Sequence, residues 1–442
     1  MAARGIFSET GYSGLNQTRG VIQEEWLTDL TGARGMRGYR EMADNDAVLG
    51  AMFHAIIQQL RGVTWTIEAR GETDEDLAAA TFVESCMEDM SMSWGDFISE
   101  ALSKLVFGWS YFEVVYKKRE GNQGIKSKKA SSNFDDGRIG WRKFAGRAQD
   151  TLRYWDIDDN GGIQGMIQGD REGANRYLPI SRSLLFRTTR TKNNPEGRSL
   201  LRNAYTSWYY RRRIMEYEAI GVERDFAGLP VFYAPEEIFD TAASATEKAA
   251  LSEYKKIASE LKRNERASLV LPSVFDEKGN RLVDIKLLSS GGSRQLNTNE
   301  IIDRHTKEMA MTTLSDVILL GHENVGSLAL GTVKQSMWLA ALTAQVMEIS
   351  DVINRHEIPR LMKMNGWDLD EYPLMVAGSL QRPDTEELAV ALEKLVNAGM
   401  LSPDEEDERF LRSLLGLPQP EKLDMPESEE IAPEPLMNPE EV

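Results

Sequence analysis

A dense group of carboxylates lies at Asp156, Asp158 and Asp159. Carboxylate oxygens are the ligands that Mg²⁺ prefers, so such a group could support metal-dependent phosphoryl chemistry. The residues that follow, Asn160-Gly161-Gly162, are those that a reverse turn selects, and Asp is favoured just before them. A turn explains the carboxylates better than metal binding does, so we expect a tight turn between two strands and assign no metal site.

Histidine, cysteine and glycine-lysine motifs offer no better site. His322-Glu323 and His356-Glu357 both lack the second histidine of a zinc-binding helix, and in Gly121–Ser127 the position of Ile125 breaks the register of a phosphate-binding loop. Cys86, the single cysteine, lies in a helical pattern and is interpreted as a small apolar residue. With four histidines and no nucleophile motif, the sequence predicts no catalytic residue and no cofactor.

Two basic features remain as candidate binding sites. Arg211, Arg212 and Arg213 point in three directions on a helix, so at least one should meet a neighbouring carboxylate, although an ordinary exposed helix face explains them equally well. Residues Lys117–Arg153 include 11 basic and 4 acidic side chains, a net charge of +7. This stretch fits nucleic acid, an acidic protein or, more simply, a solvated hairpin.

The charge of the whole chain argues against tight, general DNA binding. The formal net charge is −18, whereas proteins that grip DNA present excess Lys and Arg to the phosphates. Residues Ser402–Val442 hold 13 acidic and 3 basic side chains, a net charge of −10. The rest of the chain is therefore closer to neutral than the total suggests.

Length and hydropathy indicate two or three domains in an aqueous compartment. The chain has 442 residues, of which 41% are hydrophobic. No stretch approaches the 18 or more apolar residues of a membrane-spanning helix, and Met1–Ile6 lacks the apolar run of a secretory signal. We expect a protein that is made in the cytoplasm and does not enter a membrane.

The first half of the chain predicts an α+β block behind an extended arm. Residues 1–40 show little periodicity and are expected to order only against a partner. The elements predicted after the arm are a helix from Asp44 or Asn45 to Leu60, a strand at 63–67, helices at 74–90 and 94–107, a strand at 109–116, and further strands to about 187.

The second half predicts long helices around a compact insert. Apolar residues at helical spacing cover 199–226, with the aromatic residues Tyr205, Trp208, Tyr209 and Tyr210 assigned to packing. The insert should contain a strand at 230–233, a helix at 245–261 and a strand at 267–271. A helix at 297–316, a glycine-rich loop at 317–332 and a helix at 333–363 follow. Two short helices beginning near Pro383 and Ser402 precede a proline-rich, acidic tail.

This order of elements resembles the phage portal plan of wing, stem, clip, stem, tunnel loop, wing and crown. Several segments are similar to portals of the Mu-like kind: Asp44–Glu68, Ala101–Tyr116, Asn194–Arg202 and Leu414–Pro420. The resemblance covers roughly residues 40 to 420 and depends on the order of these moderately specific segments, none of which is diagnostic alone.

The resemblance implies a division of the chain into portal parts. These are an N-terminal arm (1–40), wing (41–197), stem helix (198–227), clip (228–290), second stem helix (291–316), tunnel loop (317–332), long helix with return to the wing (333–381), helical crown (382–417) and acidic tail (418–442). It also implies that His322, Glu323 and Asn324 in the tunnel loop approach DNA, and that an arginine among Arg211, Arg212 and Arg213 meets a carboxylate of an adjacent subunit.

The resemblance further implies a non-enzymatic ring, usually a dodecamer, at the portal vertex of a virion. Its expected partners are the major capsid protein, the large terminase subunit, a head-completion or adaptor protein, and the duplex DNA that passes through the channel. An acidic chain suits such a channel because strong phosphate contacts would slow the DNA. The alternatives are another ring or shell component of a phage head or tail and, less favoured, a metal-dependent nuclease.

Overall fold

The computed structural model describes residues 11–122, 131–227, 229–233, 244–262, 284–288, 297–312, 328–378, 380 and 385–399. The chain divides into two units, residues 1–378 and 379–442, which are described separately. Helices and strands both contribute to the first unit, as the predicted α+β class requires.

The N-terminal segment begins as a small hairpin on the body of its own chain. Strands β1 (Gln17–Thr18) and β2 (Val21–Ile22) pair antiparallel, and the carbonyl of Gly20 between them accepts a 2.8 Å hydrogen bond from the Trp155 backbone N–H. The expectation that residues 1–40 order only against a partner was therefore wrong from Gly11 onward; residues 1–10 lie outside the described residues.

Helix α1 (Gly32–Asn45) also falls within the segment that was expected to be extended. Its buried residues Met36, Tyr39 and Met42 recur every three positions, which places them on one face of a helix. Three glycines in the same stretch obscured that periodicity because glycine disfavours helix interiors.

Helix α2 (Ala47–Arg61) and strand β3 (Trp65–Glu68) confirm the predicted helix-strand pair. The helix is capped by Asp46 rather than by Asp44 or Asn45, since the Asp46 carboxylate accepts from the Val48 and Leu49 N–H groups at 3.0 and 3.1 Å. Helix α3 (Asp74–Glu88) follows behind a Thr73 capping box. The predicted helix at 94–107 is divided at Leu102 into α4 (Trp94–Ala101) and α5 (Ser103–Phe107).

Two three-stranded antiparallel sheets follow. The first has the order β5-β4-β9 and the second has the order β6-β7-β8. Their bounds are β4 (Trp109–Lys118), β5 (Ile139–Arg147), β6 (Leu152–Ile157), β7 (Ile163–Gly169), β8 (Asn175–Pro179) and β9 (Ser183–Arg187). Strand β4 is buried on both faces over residues 109–112, whereas the second sheet buries one face through the paired residues Trp155, Met166 and Leu178.

Aromatic side chains form the core between these sheets and the helices. The Phe97 ring lies 4.7 Å from Phe144 and 5.2 Å from Phe112, and both contacts are edge-to-face. Between the two sheets, the Trp109 ring of β4 and the Trp155 ring of β6 meet edge-to-face at 5.0 Å. We call this set of buried rings the aromatic core: Phe97, Trp109, Tyr111, Phe112, Trp141, Phe144, Trp155 and Phe186.

The basic stretch Lys117–Arg153 is not fully solvated near Lys117 and Arg119. The ammonium group of Lys117 is buried and lies 2.9 Å from a carboxylate oxygen of Asp89. The guanidinium of Arg119 lies over the Phe134 ring at 4.0 Å and pairs with Asp136 at 3.1 Å. The interpretation as a solvated hairpin was therefore wrong for these residues; residues 123–130 lie outside the described part.

The predicted long helix and insert are present in the described residues. Helix α6 (Tyr205–Ala227), strand β10 (Leu229–Tyr233) and helix α7 (Ala245–Lys262) match the predicted elements. Strand β11 (Asp284–Leu288), which pairs antiparallel with β10, was not predicted, and the strand predicted at 267–271 lies outside the described residues. Helix α8 (Thr298–Thr312) then packs against α6.

The last long helix starts earlier than predicted and is interrupted once. Helix α9 spans Leu328–Val352, a π-helical segment follows at Ile353–Glu357, and α10 covers Ile358–Met364. Residues 328–332 therefore belong to a helix and not to the glycine-rich loop, because a single glycine such as Gly331 costs a helix only about 1 kcal/mol. Strand β12 (Leu374–Ala377) pairs antiparallel with β3.

In the second unit the structure describes one helix, α11 (Thr385–Asn397), which confirms the helix predicted after Pro383. Gly399 follows it at φ 66°, the left-handed conformation of a helix end. The helix predicted from Ser402 and the acidic tail lie outside the described residues.

Candidate assembly surface

The loop Asn194–Arg202 fixes the start of α6 on the sheets. Gly197 has φ 55°, and a Cβ placed there would lie 2.3 Å from the Gly108 carbonyl oxygen, so only glycine fits. The Ser199 hydroxyl donates to the Val106 carbonyl and accepts from the Leu201 N–H. These contacts explain why this loop has a distinctive sequence: it is the joint between β4 and the long helix.

One of the three predicted arginines anchors α6 to the end of α1. The Arg211 guanidinium lies 2.7 Å from the Asp46 carboxylate, and both side chains are largely buried. Since the same carboxylate caps α2, Asp46 links three helices. Arg211 therefore meets a carboxylate of its own chain, whereas the predicted contact of these arginines is with an adjacent subunit and stays a prediction.

Arg212 and Arg213 are half exposed and also have carboxylate neighbours in the chain. Arg212 pairs with Glu41 at 2.5 Å, and Arg213 lies 3.5 Å from Glu216. Exposed ion pairs of this kind contribute little to the free energy of unfolding, on the order of 0.5 kcal/mol. Contact of these arginines with an adjacent subunit stays a prediction.

Helices α6 and α8 run antiparallel and are joined by polar contacts. The Ser207 hydroxyl donates to Glu308 at 2.6 Å near one end, and the Thr298 hydroxyl donates to Glu218 at 2.5 Å near the other. The Tyr210 and His305 rings stack at 6.4 Å. Helix α8 and the end of α1 each cover part of α6, and the residues described between 209 and 222 are exposed or only partly buried in the single chain.

Apolar side chains lie on two open faces of α6. Met215 and Val222, 45% and 49% exposed, share one face because seven residues return a helix to within about 20°. Tyr209, Ile220 and Tyr217, 38%, 43% and 66% exposed, lie about 120° to 200° from Met215 around the helix axis. We call these the methionine face (Met215, Val222) and the tyrosine face (Tyr209, Tyr217, Ile220).

The assignment of the aromatic run on α6 to packing therefore holds for Trp208 and in part for Tyr205, which is partly buried, but not for Tyr209 and Tyr210. Trp208 is buried, whereas Tyr209 and Tyr210 are exposed in the single chain. Between 209 and 222 the structure describes no buried residue on α6. Hydrophobic periodicity alone does not tell whether a face is covered by the same chain or by another.

Helix α9 repeats this arrangement: its end is held in the core and its beginning is exposed. The fully buried ammonium of Lys104 pairs with Glu348 and donates to the Gln345 carbonyl at 3.1 Å. Toward the start of the helix, Val333 and Met337 are 55% and 68% exposed. Burial lowers the pKa of Lys104, and Glu348 opposes that effect.

The predicted DNA-contacting residues and the carboxylate cluster have different outcomes. His322, Glu323 and Asn324 lie outside the described residues, so their role stays a prediction. The turn at Asp158 is confirmed: its carboxylate accepts from the N–H groups of Asn160 and Gly162 at 3.0 and 2.7 Å. Within the described residues no group of three or more His, Cys, Asp or Glu side chains is arranged to hold a metal ion.

Two carboxyl groups that sequence reasoning did not select are perturbed by burial. Burial raises the pKa of Glu196 to about 7, and its hydrogen bond from the Trp155 indole at 3.2 Å only partly offsets this. Burial also raises the pKa of Glu357 to about 7. In the sequence, Glu196 is followed by a glycine and Glu357 by an apolar residue, and these positions were the only indication that either carboxyl is buried.

In the described ranges, none of the helices combines the length and the apolar character needed to cross a bilayer. The exposed apolar residues of α6 and α9 are interrupted by charged ones such as Arg212 and Glu216. Such mixed surfaces are typical of protein contacts.

Comparison with known proteins identifies relatives over nearly the whole chain. The model of a family described as "Portal protein of Mu bacteriophage" matches residues 36–417. Among solved structures, a chain from the virion of a native gene transfer agent particle superposes with a TM-score of 0.51 at 12% identity, covering 92% of this chain and 97% of that one. A chain from the neck of the empty particle, computed with C6 symmetry, gives 0.51 at 13% identity, with 92% and 97% covered. One from the neck of the native particle, computed with C12 symmetry, gives 0.50 at 13% identity, with 88% and 95% covered.

Proposed function

The chain belongs to the family of Mu bacteriophage portal proteins, and from this premise we propose that it forms a ring through which duplex DNA is packaged into and ejected from a capsid. The observation that supports a ring most directly is the pair of apolar faces on α6. A subunit in a closed ring has two different neighbours and needs a separate surface for each.

The opposed positions of the two faces favour a head-to-tail contact. If the methionine face of one subunit meets the region of the tyrosine face on the next, the contact repeats until the ring closes. An isologous dimer would bury one face and leave the other in water. We propose a ring of twelve, which is the symmetry stated for the neck of the native gene transfer agent particle.

The insert between α6 and α8 supports a portal over another ring or shell component of a head or tail. Strands β10 and β11 leave from the adjacent ends of the paired helices, where Thr298 meets Glu218. This is the connection expected of a clip at one end of two stem helices. We propose that the clip binds the large terminase subunit during packaging and an adaptor protein afterwards.

We propose that the ring does no chemistry of its own and lets DNA slide. A net charge of −18 opposes tight phosphate contacts, so His322, Glu323 and Asn324 in the predicted tunnel loop would touch the duplex without holding it. The major capsid protein would surround the wing at the portal vertex of the virion, after assembly in the host cytoplasm.

Electron microscopy of the purified full-length chain tests this function. We expect rotationally symmetric rings whose central channel admits a DNA duplex, a width of about 20 Å or more. Incubation of the same sample with DNA and Mg²⁺ should leave the DNA intact, since no catalytic group is proposed. Monomers under all conditions, or cleavage abolished by Asp158→Ala, would contradict the proposal.

A further inference from the structure

The long helix α9 passes into α10 through a turn that is wider than an α-helical turn. In the π-helical segment Ile353–Glu357 the Ile358 N–H donates to the Ile353 carbonyl, five residues back instead of four. Pro359 gives a local cause, because its ring has no N–H to donate and would clash with the carbonyl of Arg355 in a regular helix.

The spacing of the buried apolar residues also requires one extra residue in this turn. In an unbroken α-helix, Ile358 and Met362 would point about 120° and 160° away from Val346. One additional residue in the turn brings them back by about 100°, onto the face of Val346, and all three side chains are buried. The π-helical segment thus keeps both halves of the helix in one core.

The carboxyl of Glu357 lies at the end of this segment and is completely buried. Its Oε1 accepts from the Tyr116 hydroxyl on β4 and from the Trp141 indole on β5, both at 2.8 Å. Its Oε2 accepts from Arg360 of α10 at 2.8 Å. A single side chain therefore ties the joint to two strands and to the helix beyond it.

A second side chain holds the other edge of the segment. The Asn354 amide donates to the Met375 carbonyl at 2.9 Å, and its oxygen accepts from the Met375 N–H at 2.8 Å. This contact to β12 is neutral and independent of pH. Of the two ties, only that of Glu357 changes with protonation.

We propose that Ile353–Glu357 is a proton-sensitive joint in the long helix, with the Glu357 carboxyl as its latch. Oε1 already accepts two hydrogen bonds, so an added proton resides on Oε2, where it faces the Arg360 donor. Protonation therefore releases Arg360, whose other contact is a 3.4 Å bond to the Ile180 carbonyl. In the loosened joint the carboxyl stays buried against β4 and β5 but has lost Arg360, whose charge lowers its pKa. The pKa of Glu357 is therefore higher in the loosened joint than in the firm one, so protonation favours the loosened joint and ionisation favours the firm one.

The other charged groups near the joint do not titrate in the same way. Partial burial and the arginines around it, Arg360, Arg355, Arg190 and Arg187, lower the pKa of His356, which is the opposite of the shift at Glu357. On the facing strands, burial raises the pKa of Tyr116, and Arg187 of β9 remains charged. Strand β12 contributes no titratable side chain. Burial raises the pKa of Glu357 itself to about 7, which places its titration near neutral pH.

Hydrogen exchange of the full-length chain measures the joint directly. We expect the backbone amides of 358–364 to exchange several-fold faster, up to about tenfold, at about pH 6 than at about pH 8, after correction for intrinsic rates. Glu357→Gln, which copies the neutral acid, should show the faster exchange at both pH values. Asp351→Asn removes an exposed carboxylate from the same helix and should behave like the wild type.

Equal protection of the wild type at both pH values would overturn the proposal, as would a Glu357→Gln variant that keeps the high-pH protection. If that variant does not fold, Tyr116→Phe supplies the test. It removes one donor to the carboxylate, so the pH at which protection changes should rise; an unchanged midpoint would also overturn the latch. These outcomes concern the helix in one chain and are independent of ring formation.

Discussion

Large apolar side chains of this portal protein are buried in the sheets and exposed on the long helices. In the aromatic core, Trp109 and Trp141 are fully buried within one chain. On the long helices, Tyr217 and Met337 are 66% and 68% exposed. Exposed apolar area on the scale of several side chains marks contact surfaces. The comparison teaches that the first region stabilises the single subunit, whereas the second carries the surfaces that we propose join subunits.

Phe97→Ala should have the largest effect on the fold of the subunit. The ring contacts Phe112, Phe144 and Phe186, and its removal leaves a cavity that costs about 3 to 5 kcal/mol. Urea unfolding followed by circular dichroism measures this loss. A loss below about 1 kcal/mol would show that the aromatic core is not what stabilises the subunit.

Asp46→Ala should have the next largest effect, because it acts where the two regions meet. It leaves Arg211 without its carboxylate and removes the cap of α2, which together cost about 3 kcal/mol. Hydrogen exchange should show loss of protection around 205–215. Glu41→Ala, which breaks only a half-exposed pair with Arg212, is the matched control and should cost less than about 1 kcal/mol.

Glu196→Gln should change how stability depends on pH. The raised pKa of the folded state means that the carboxyl stabilises the fold when protonated, fully below its ordinary pKa of 4.5, and that this contribution is lost as the pH rises through about 7. Allowing for partial exposure, the loss is roughly 1 to 2 kcal/mol. The melting temperature should therefore fall less steeply between pH 5 and pH 8 in the variant than in the wild type. If the two curves are parallel, the Glu196 carboxyl does not contribute to the pH dependence of stability.

Tyr217→Glu should have the smallest effect on the fold. The side chain is two-thirds exposed, so we expect a change within about 0.5 kcal/mol in the free energy of unfolding under conditions that keep the chain monomeric. Denaturation in dilute solution checks this value. A large destabilisation would mean that the tyrosine face packs within its own chain, and the contrast with the aromatic core would disappear.

Much of the fold could be predicted from the sequence because its signals are local. The Asp158 turn and the helix-strand pair from α2 to β3 follow from turn chemistry and apolar spacing. Strands β11 and β12 were missed because their partners, β10 and β3, lie far away in sequence. The π-helical segment was missed although Pro359 and the displaced phase of Ile358 indicate it.

The candidate site was harder to predict for a physical reason. An apolar residue at helical spacing indicates that the side chain is buried, but it does not show whether the same chain or another chain covers it. Tyr209 and Tyr210 were assigned to packing within the chain, and the structure exposes them. Arg211 could be predicted to need a carboxylate, yet only the fold shows that Asp46 supplies it.

Light scattering of two complementary variants tests the central claim most directly. Tyr217→Glu with Ile220→Glu blocks the tyrosine face, and Met215→Glu with Val222→Glu blocks the methionine face, while each variant keeps the other face intact. Our account predicts that each variant alone stays monomeric and that an equimolar mixture forms dimers that cannot extend, because only one compatible contact remains. Rings formed by either variant alone, or by the mixture, would contradict it.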